Sequence, residues 1–398
     1  MGASGQQRQL NIQRIYTAIR EDLGTNRAEL SRRFGLSKPT VSEITRILID
    51  ANLVAEGRPQ RTGGRGRHPI GLVAVPDAYH ILAITLGGTN LRGAIVNLSG
   101  HIKHHESEKA DGPRLEEQAE QLIRRLLERV EGPPVLGIGV GAAGTVDQAT
   151  GRILNMPAHG RRNVDLPSYL TGKIGLPVLV DNDVNYGAIG EWWRGAAKQE
   201  RNTICISIGT GIGAGLILDG KLFRGSRNLV GEIGYFYHRV ALPEAPLTSF
   251  GGFEHQASGW GICQRAEEAL REGAATLLTA EHLAGDQARA VFDAAARGDE
   301  VCRTIVDRAV HEIGIAVANT ISLLDLDSVV LTGGLIGAHK EILEDIERIV
   351  HRVAVPESRD LVDIRLGSLG KEAVFLGAAY EVQETLLPEL VARQNPAR

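Results

Sequence analysis

The stretch from Val178 to Gly195, VLVDNDVNYGAIGEWWRG, decides the reading of this chain. A short apolar run, Val178 to Val180, predicts a buried strand, and it stops at a cluster of acids and amides: Asp181, Asn182, Asp183 and Asn185. In α/β sheets ligands bind outside the carboxyl ends of strands. The cluster therefore stands where a polyhydroxylated molecule can be held by carboxylate and amide hydrogen bonds. The same residues also read as a helix start, with Asp181 or Asn182 capping a helix through Ala188, Ile189, Trp192 and Trp193. The two readings are compatible.

Upstream, from His80, strands and helices alternate. ILAITLGGTNLRGAIVNLSG predicts two strands around a Gly-Gly-Thr turn. The polar HIKHHESEK that follows holds His101, His104 and His105 with Glu106 or Glu108, which resembles a metal cluster on paper but reads better as a solvated turn. Arg114 to Val130 is an amphipathic helix. Gly139, Gly141 and Gly144 satisfy GxGxxG. No helix opens at the third glycine, however, so a dinucleotide site is not expected. Downstream, NTICISIGTGIGAGLILDGKLFRG reads as strand, glycine turn, strand, with backbone N–H groups that suit phosphate or simply a tight hairpin. A helical region from about Gly261 to Leu324, the strand SVVLTGG and two further helices complete an α/β body.

The first 70 residues differ in charge. They hold 12 Lys and Arg against 6 Asp and Glu, a net of +6, and leave the remaining chain at 32 against 42. A basic module on an acidic body points to a polyanion partner for the first part only. Its apolar spacing predicts a helix from Leu10 to Leu23, a helix RAELSRRF capped at Thr25 or Asn26, a tight turn at Gly35, and a helix capped by Ser37. Val41, Ile44, Leu48 and Ile49 form the core face of that last helix, which leaves Lys38, Thr40, Ser42 and Glu43 to reach base edges in a major groove. After Val54 comes GRPQRTGGRGRHP, whose arginines on a Gly scaffold suit a narrow minor groove.

Composition narrows the classes. At 398 residues, 43% hydrophobic and 23% charged, the chain reads as a soluble protein of two or three domains. No apolar run approaches the roughly 20 residues of a membrane span. The N-terminus lacks the apolar core of a secretion signal, which predicts a cytoplasmic protein without a membrane partner. Three scattered cysteines predict reduced, mostly buried thiols, with neither disulfides nor a metal site.

Residues 10 to 72 resemble the winged helix-turn-helix of the ROK family (repressors, open reading frames and kinases): AELSRRFGLSKPTVSEITRILIDANLV and TGGRGRHP follow its pattern in order. By that resemblance Lys38, Thr40 and Ser42 contact the major groove, and Arg65 and Arg67 the minor groove. GIGVGAAGTVDQATGRILNMP, VLVDNDVNYGAIGE, ISIGTGIGAGLILDGKLFRG, GEIG and VVLTGG also match ROK segments in order across residues 80 to 385. The resemblance implies a two-lobed sugar kinase/actin-like (ribonuclease H-like) α/β body. Expected domains are a winged module over 1–75, a first lobe from 76–200 with 375–398, and a second over 201–374. Sugar ligands carried over from the family are Asn155, Asn182, Asp183, Glu232 and Glu254, with Asp183 at the kinase-base position and Tyr235 standing where GEIGH has His.

Two departures from the kinases matter. They place a metal-holding Asp two residues before the GGT turn, where this chain has Thr85; a neutral hydroxyl gives Mg2+ far less support. Ala245, Leu247 and Gly252 replace the cysteines of the family's zinc motif, so no zinc is expected. The expectation is therefore a sugar-responsive transcriptional repressor. It would be a homodimer or homotetramer on an inverted-repeat DNA operator, with no catalytic residue, metal or cofactor. The alternative is an ATP-dependent sugar kinase that also binds DNA.

Overall fold

The computed structural model describes residues 3–21, 25–59, 70–237, 247, 250–284 and 287–394. The chain divides into two compact units. One comprises Met1–Val140, Asp165–Val180 and Ala378–Arg398, the other Gly141–Val164 and Asp181–Gly377.

The first unit begins with three helices, α1 (Ala3–Glu21), α2 (Arg27–Phe34) and α3 (Lys38–Asp50), and a two-stranded antiparallel ribbon of β1 (Val54–Pro59) and β2 (Ile70–Ala74). Asn26 caps α2 by accepting from the amides of Ala28 and Glu29, and Gly35 ends it in the left-handed region at φ 63°. Ser37 caps α3, which has Pro39 in its first turn. Ile12, Ile15, Ile19, Leu30, Val41, Ile44, Leu48 and Leu53 form the small core. Three apolar assignments change. Leu10, expected on the inner stripe, is 45% exposed, Ala28, expected to face inward beside Leu30, lies on the solvent face of α2, and Ile47 takes the buried place expected of Ile49. Helical periodicity marks a stripe, but the neighbouring helices decide where its edges fall.

The unit continues with β3 (His80–Leu86), β4 (Asn90–Asn97), β5 (Ile102–Lys109), α4 (Leu115–Glu128) and β6 (Val135–Ala142). Beyond β7 (Thr145–Val146), β8 (Ile153–Met156) and β9 (Arg161–Val164) come α5 (Leu166–Ile174) and β10 (Val178–Asn182). Strand order is β10-β6-β3-β4-β5. The histidine segment is no turn. It is β5, an edge strand of alternating exposure, where Glu106 bonds His104 at 3.1 Å, Arg125 at 3.1 Å and Arg129 at 3.2 Å. Charged pairs along an edge protect it from adventitious pairing.

The GxGxxG glycines serve packing. A Cβ on Gly139 would stand 3.0 Å from the Ala378 carbonyl of the C-terminal helix α14 (Ala373–Gln394), and one on Gly137 would stand 2.6 Å from Leu386. In the second unit a Cβ on Gly144 would meet the Asn155 carbonyl at 2.1 Å.

That unit is built on α6 (Asp183–Arg194), β11 (Thr203–Ile208), β12 (Ile212–Leu218) and β13 (Lys221–Leu222), then α7 (Gly252–Ala257), α8 (Gly259–Arg271), α9 (Gln287–Ala296) and α10 (Glu300–Leu324). After these come β14 (Ser328–Thr332), α11 (Gly334–Ala338), α12 (Leu343–Val353), α13 (Pro356–Arg359) and β15 (Asp363–Leu366). The sheet runs β13-β12-β11-β14-β15, antiparallel on the β12 side of β11 and parallel through β14 and β15. Its strands and α10 bury the larger core, including Ile206, Ile208, Val317, Ile321 and Val329. Among the described residues no helix is long and apolar enough to cross a membrane.

Candidate functional site: a carboxylate pocket and a nucleic-acid interface

Both readings of DNDVN meet at the end of β10. Asn182 is the cap of α6: its Oδ1 accepts from Val184 N at 2.8 Å and Asn185 N at 3.2 Å, while its Nδ2 donates to Gly144 O at 2.9 Å. Asp181 is turned inward, 4% exposed. Its Oδ1 accepts from its neighbour's amide at 2.7 Å, from Asn185 at 2.9 Å and from Asn228 at 3.0 Å, and its Oδ2 accepts from Arg224 Nε at 3.1 Å and a terminal nitrogen at 2.9 Å. A carboxylate so engaged has little capacity left for a ligand. It ties the strand end to the loop that leads to Glu232.

Asp183, Glu232 and Glu254 are what the fold gathers. Burial pushes the Asp183 carboxyl up to about 6, partly offset by the amides of Val184 and of Asp183 itself. Glu232 is raised first by burial, then by the charges of Glu254 and Asp183, so it feels both neighbours. Glu254 is raised by burial although its Oε1 accepts from Ile212 N at 2.9 Å and its Oε2 from Gly251 N at 2.8 Å. The Gly251 bond caps the start of α7 from its third residue, and the Ile212 bond clamps that helix to the start of β12. A Cβ at Gly211 or Gly234 would stand 2.7 Å from that carboxyl, so the tight glycine turn makes room for Glu254. Asn155 lies on β8 opposite Thr145, beside the Gly144 carbonyl that holds Asn182. Tyr235 is 43% exposed, and its phenol is raised by burial and by Glu254 and Glu232.

Among the described residues no cation pairs with Asp183 or Glu232, and no group of three or more His, Cys, Asp or Glu is arranged to hold a metal ion. Partly desolvated carboxylates without a counter-ion suit a neutral donor of several hydrogen bonds, such as a sugar. A carboxyl raised by folding contributes its full stability below its unfolded value near 3.8, and the contribution is lost as pH rises through about 6. Asp183→Asn is therefore expected to be more stable than the parent above pH 7, by about 1–3 kcal/mol, with the gain vanishing below pH 4. Thermal midpoints from pH 4 to 8 check this; a difference independent of pH would refute the assignment.

In the first unit Thr85 stands on β3 opposite Arg92, its hydroxyl buried without a partner among the described residues. On the winged module Lys38 and Ser42 are exposed at the start of α3, and Thr40 bonds the Ser37 hydroxyl at 2.7 Å. Glu43 instead pairs with Arg8 at 2.9 Å. Arg65 and Arg67 lie outside the described residues. Sequence reasoning missed Arg224 and Asn228, since nothing in LFRGSRN signals that both side chains fold back onto Asp181.

Three helices with a ribbon, followed by a body of two five-stranded sheets and a small three-stranded one with an acidic strand end, define a DNA-binding module joined to a sugar kinase-like domain. Residues 81–385 match the ROK family and residues 9–55 match a winged helix-turn-helix DNA-binding family; the chain belongs to the ROK family. It is 27% identical to a xylose repressor of Caldicellulosiruptor bescii, over 96% of this chain and 97% of that one. It is 31% identical to a glucokinase of Halalkalibacterium halodurans, over 77% of this chain and 96% of that one. The crystal structure of a ROK-family transcriptional regulator, described as a homologue of the E. coli MLC protein, superposes with a TM-score of 0.82 at 26% identity and covers 97% of this chain and 98% of that one.

Proposed function

We propose that the protein is a sugar-responsive repressor of carbohydrate-utilisation genes, acting in the cytoplasm as a homodimer or homotetramer on an inverted-repeat operator. The observation that carries this reading is that one chain holds both a capped helix of a winged helix-turn-helix module and a cluster of desolvated carboxylates, Asp183, Glu232 and Glu254. Similarity to a xylose repressor over 96% of this chain supports it, whereas the glucokinase match covers 77%. Asn155, Asn182, Asp183, Glu232, Tyr235 and Glu254 are the proposed effector residues, and Lys38, Thr40, Ser42, Arg65 and Arg67 the proposed DNA contacts. The effector releases DNA by binding the operator-free form more tightly than the bound form.

Lys38→Ala is expected to weaken operator binding about tenfold and to lower its salt dependence, with sugar affinity unchanged. Fluorescence anisotropy on operator DNA, with a sugar panel, measures both. The Asp183 position and the glucokinase relative favour one second reading, a sugar kinase that binds DNA. Turnover of MgATP with a sugar, abolished by Asp183→Ala, would establish it. Sugar-dependent release of DNA without turnover establishes the repressor.

A further inference from the structure

Asn228 sits in the loop between β13 and Glu232, 6% exposed, with its backbone in the left-handed region at φ 56°. Its Nδ2 donates to Val146 O at 3.1 Å and to Asp181 Oδ1 at 3.0 Å. Both amide hydrogens thus face oxygen acceptors. Turning the amide over would set its oxygen against them, so the orientation is fixed by the network. The remaining atom, Oδ1, is buried and has no partner among the described residues.

We propose that Asn228 is a further effector-binding residue, its Oδ1 accepting a hydrogen bond from one hydroxyl of the bound sugar. The inference rests on the sugar-pocket reading above. Asn228 touches the same pieces that carry the pocket: Val146 follows Thr145, the strand partner of Asn155, and Asp181 precedes Asn182 and Asp183. Arg224, held to the other oxygen of Asp181, anchors the loop from its far side. An acceptor left unpaired in the interior is unfavourable, and a donor brought by a ligand relieves it. A hydroxyl supplies one. Three carboxylates grip several hydroxyls without preference, whereas a single fixed amide oxygen reads the position of one.

The test is a binding cycle on the full chain, using the sugar that releases operator DNA and its monodeoxy analogues, against Asn228→Gly. Glycine adopts φ 56° without strain, so the loop backbone is preserved. Wild type is expected to lose about tenfold in affinity for one deoxy analogue, and Asn228→Gly about tenfold for the parent sugar but nothing further for that analogue. The thermal midpoint without sugar should fall modestly, because two buried hydrogen bonds are lost, while operator affinity without sugar stays unchanged. A uniform loss toward all analogues, or no loss, would assign the oxygen to an internal water and overturn the proposal while leaving the pocket intact. A wild-type protein that binds no sugar would overturn the pocket reading itself.

Discussion

Glu384→Ala is expected to destabilise the first unit by about 3–5 kcal/mol, the usual penalty for stranding a buried charge. Arg20 on α1 has a side chain only 2% exposed, paired with Glu384 of α14 at 3.0 Å and with Glu21 at 2.9 Å. Burial by itself would lower its pKa; Glu384, Tyr16, Glu21 and Tyr380 together more than offset this, and the guanidinium stays firmly protonated. Its carbon lies 5.8 Å from the Tyr16 ring centre and 5.2 Å from that of Tyr380, so the cation is sandwiched between aromatic faces. Gln13 adds a bond to the second Glu384 oxygen at 2.8 Å. Removing Glu384 leaves this charge with Glu21 but without its α14 partner, in a site where burial already pushes the Tyr16 phenol to about 12. A double substitution, Arg20→Met with Glu384→Leu, should recover most of the loss because it removes both desolvation penalties. Urea unfolding of the two variants measures the difference. A loss below about 1 kcal/mol for Glu384→Ala would mean that the pair is screened as a surface pair is.

A single methyl at Gly231 is expected to have an effect of similar size. Its φ is 92°, and a Cβ there would lie 1.7 Å from the Ala214 carbonyl oxygen. The Ala214 amide bonds the Gly231 carbonyl at 2.8 Å, so the two backbones are in contact just before Glu232. Gly231→Ala must separate them, which displaces Glu232 from the pocket. Stability should fall by about 2–5 kcal/mol from backbone strain and overpacking together, and sugar should no longer alter operator binding. Gly35→Ala is the control. Its φ of 63° is equally left-handed, but nothing lies within 4 Å of a Cβ there, so only the conformational term of about 1 kcal/mol applies. Equal losses in the two variants would show that contact with Ala214 is irrelevant.

Much of the candidate site was legible because its residues are local to turns. The caps at Asn26 and Ser37, the left-handed Gly35 and the helix opening at Asn182 follow from short-range chemistry that a sequence displays directly. Asp181 was not legible in the same way. Read in the chain it is one more acid of a ligand-holding cluster; in the fold Arg224, Asn185 and Asn228 occupy it, and its role is to hold a loop. Likewise GxGxxG advertises a phosphate loop, whereas Gly137 and Gly139 exist to admit α14 against β6.

The sequence by itself determined most of the alternation of strands and helices, with β5 the exception, and the basic reading module, the acidic strand end and the ROK family, because periodicity, capping and charge segregation act over a few residues. Only the tertiary structure decided which carboxylates share one desolvated pocket, which acid is consumed in holding the loop, and that Asn228 carries an unpaired oxygen. Those outcomes depend on distances between residues tens of positions apart, and burial and hydrogen-bond geometry exist only once the chain has closed on itself.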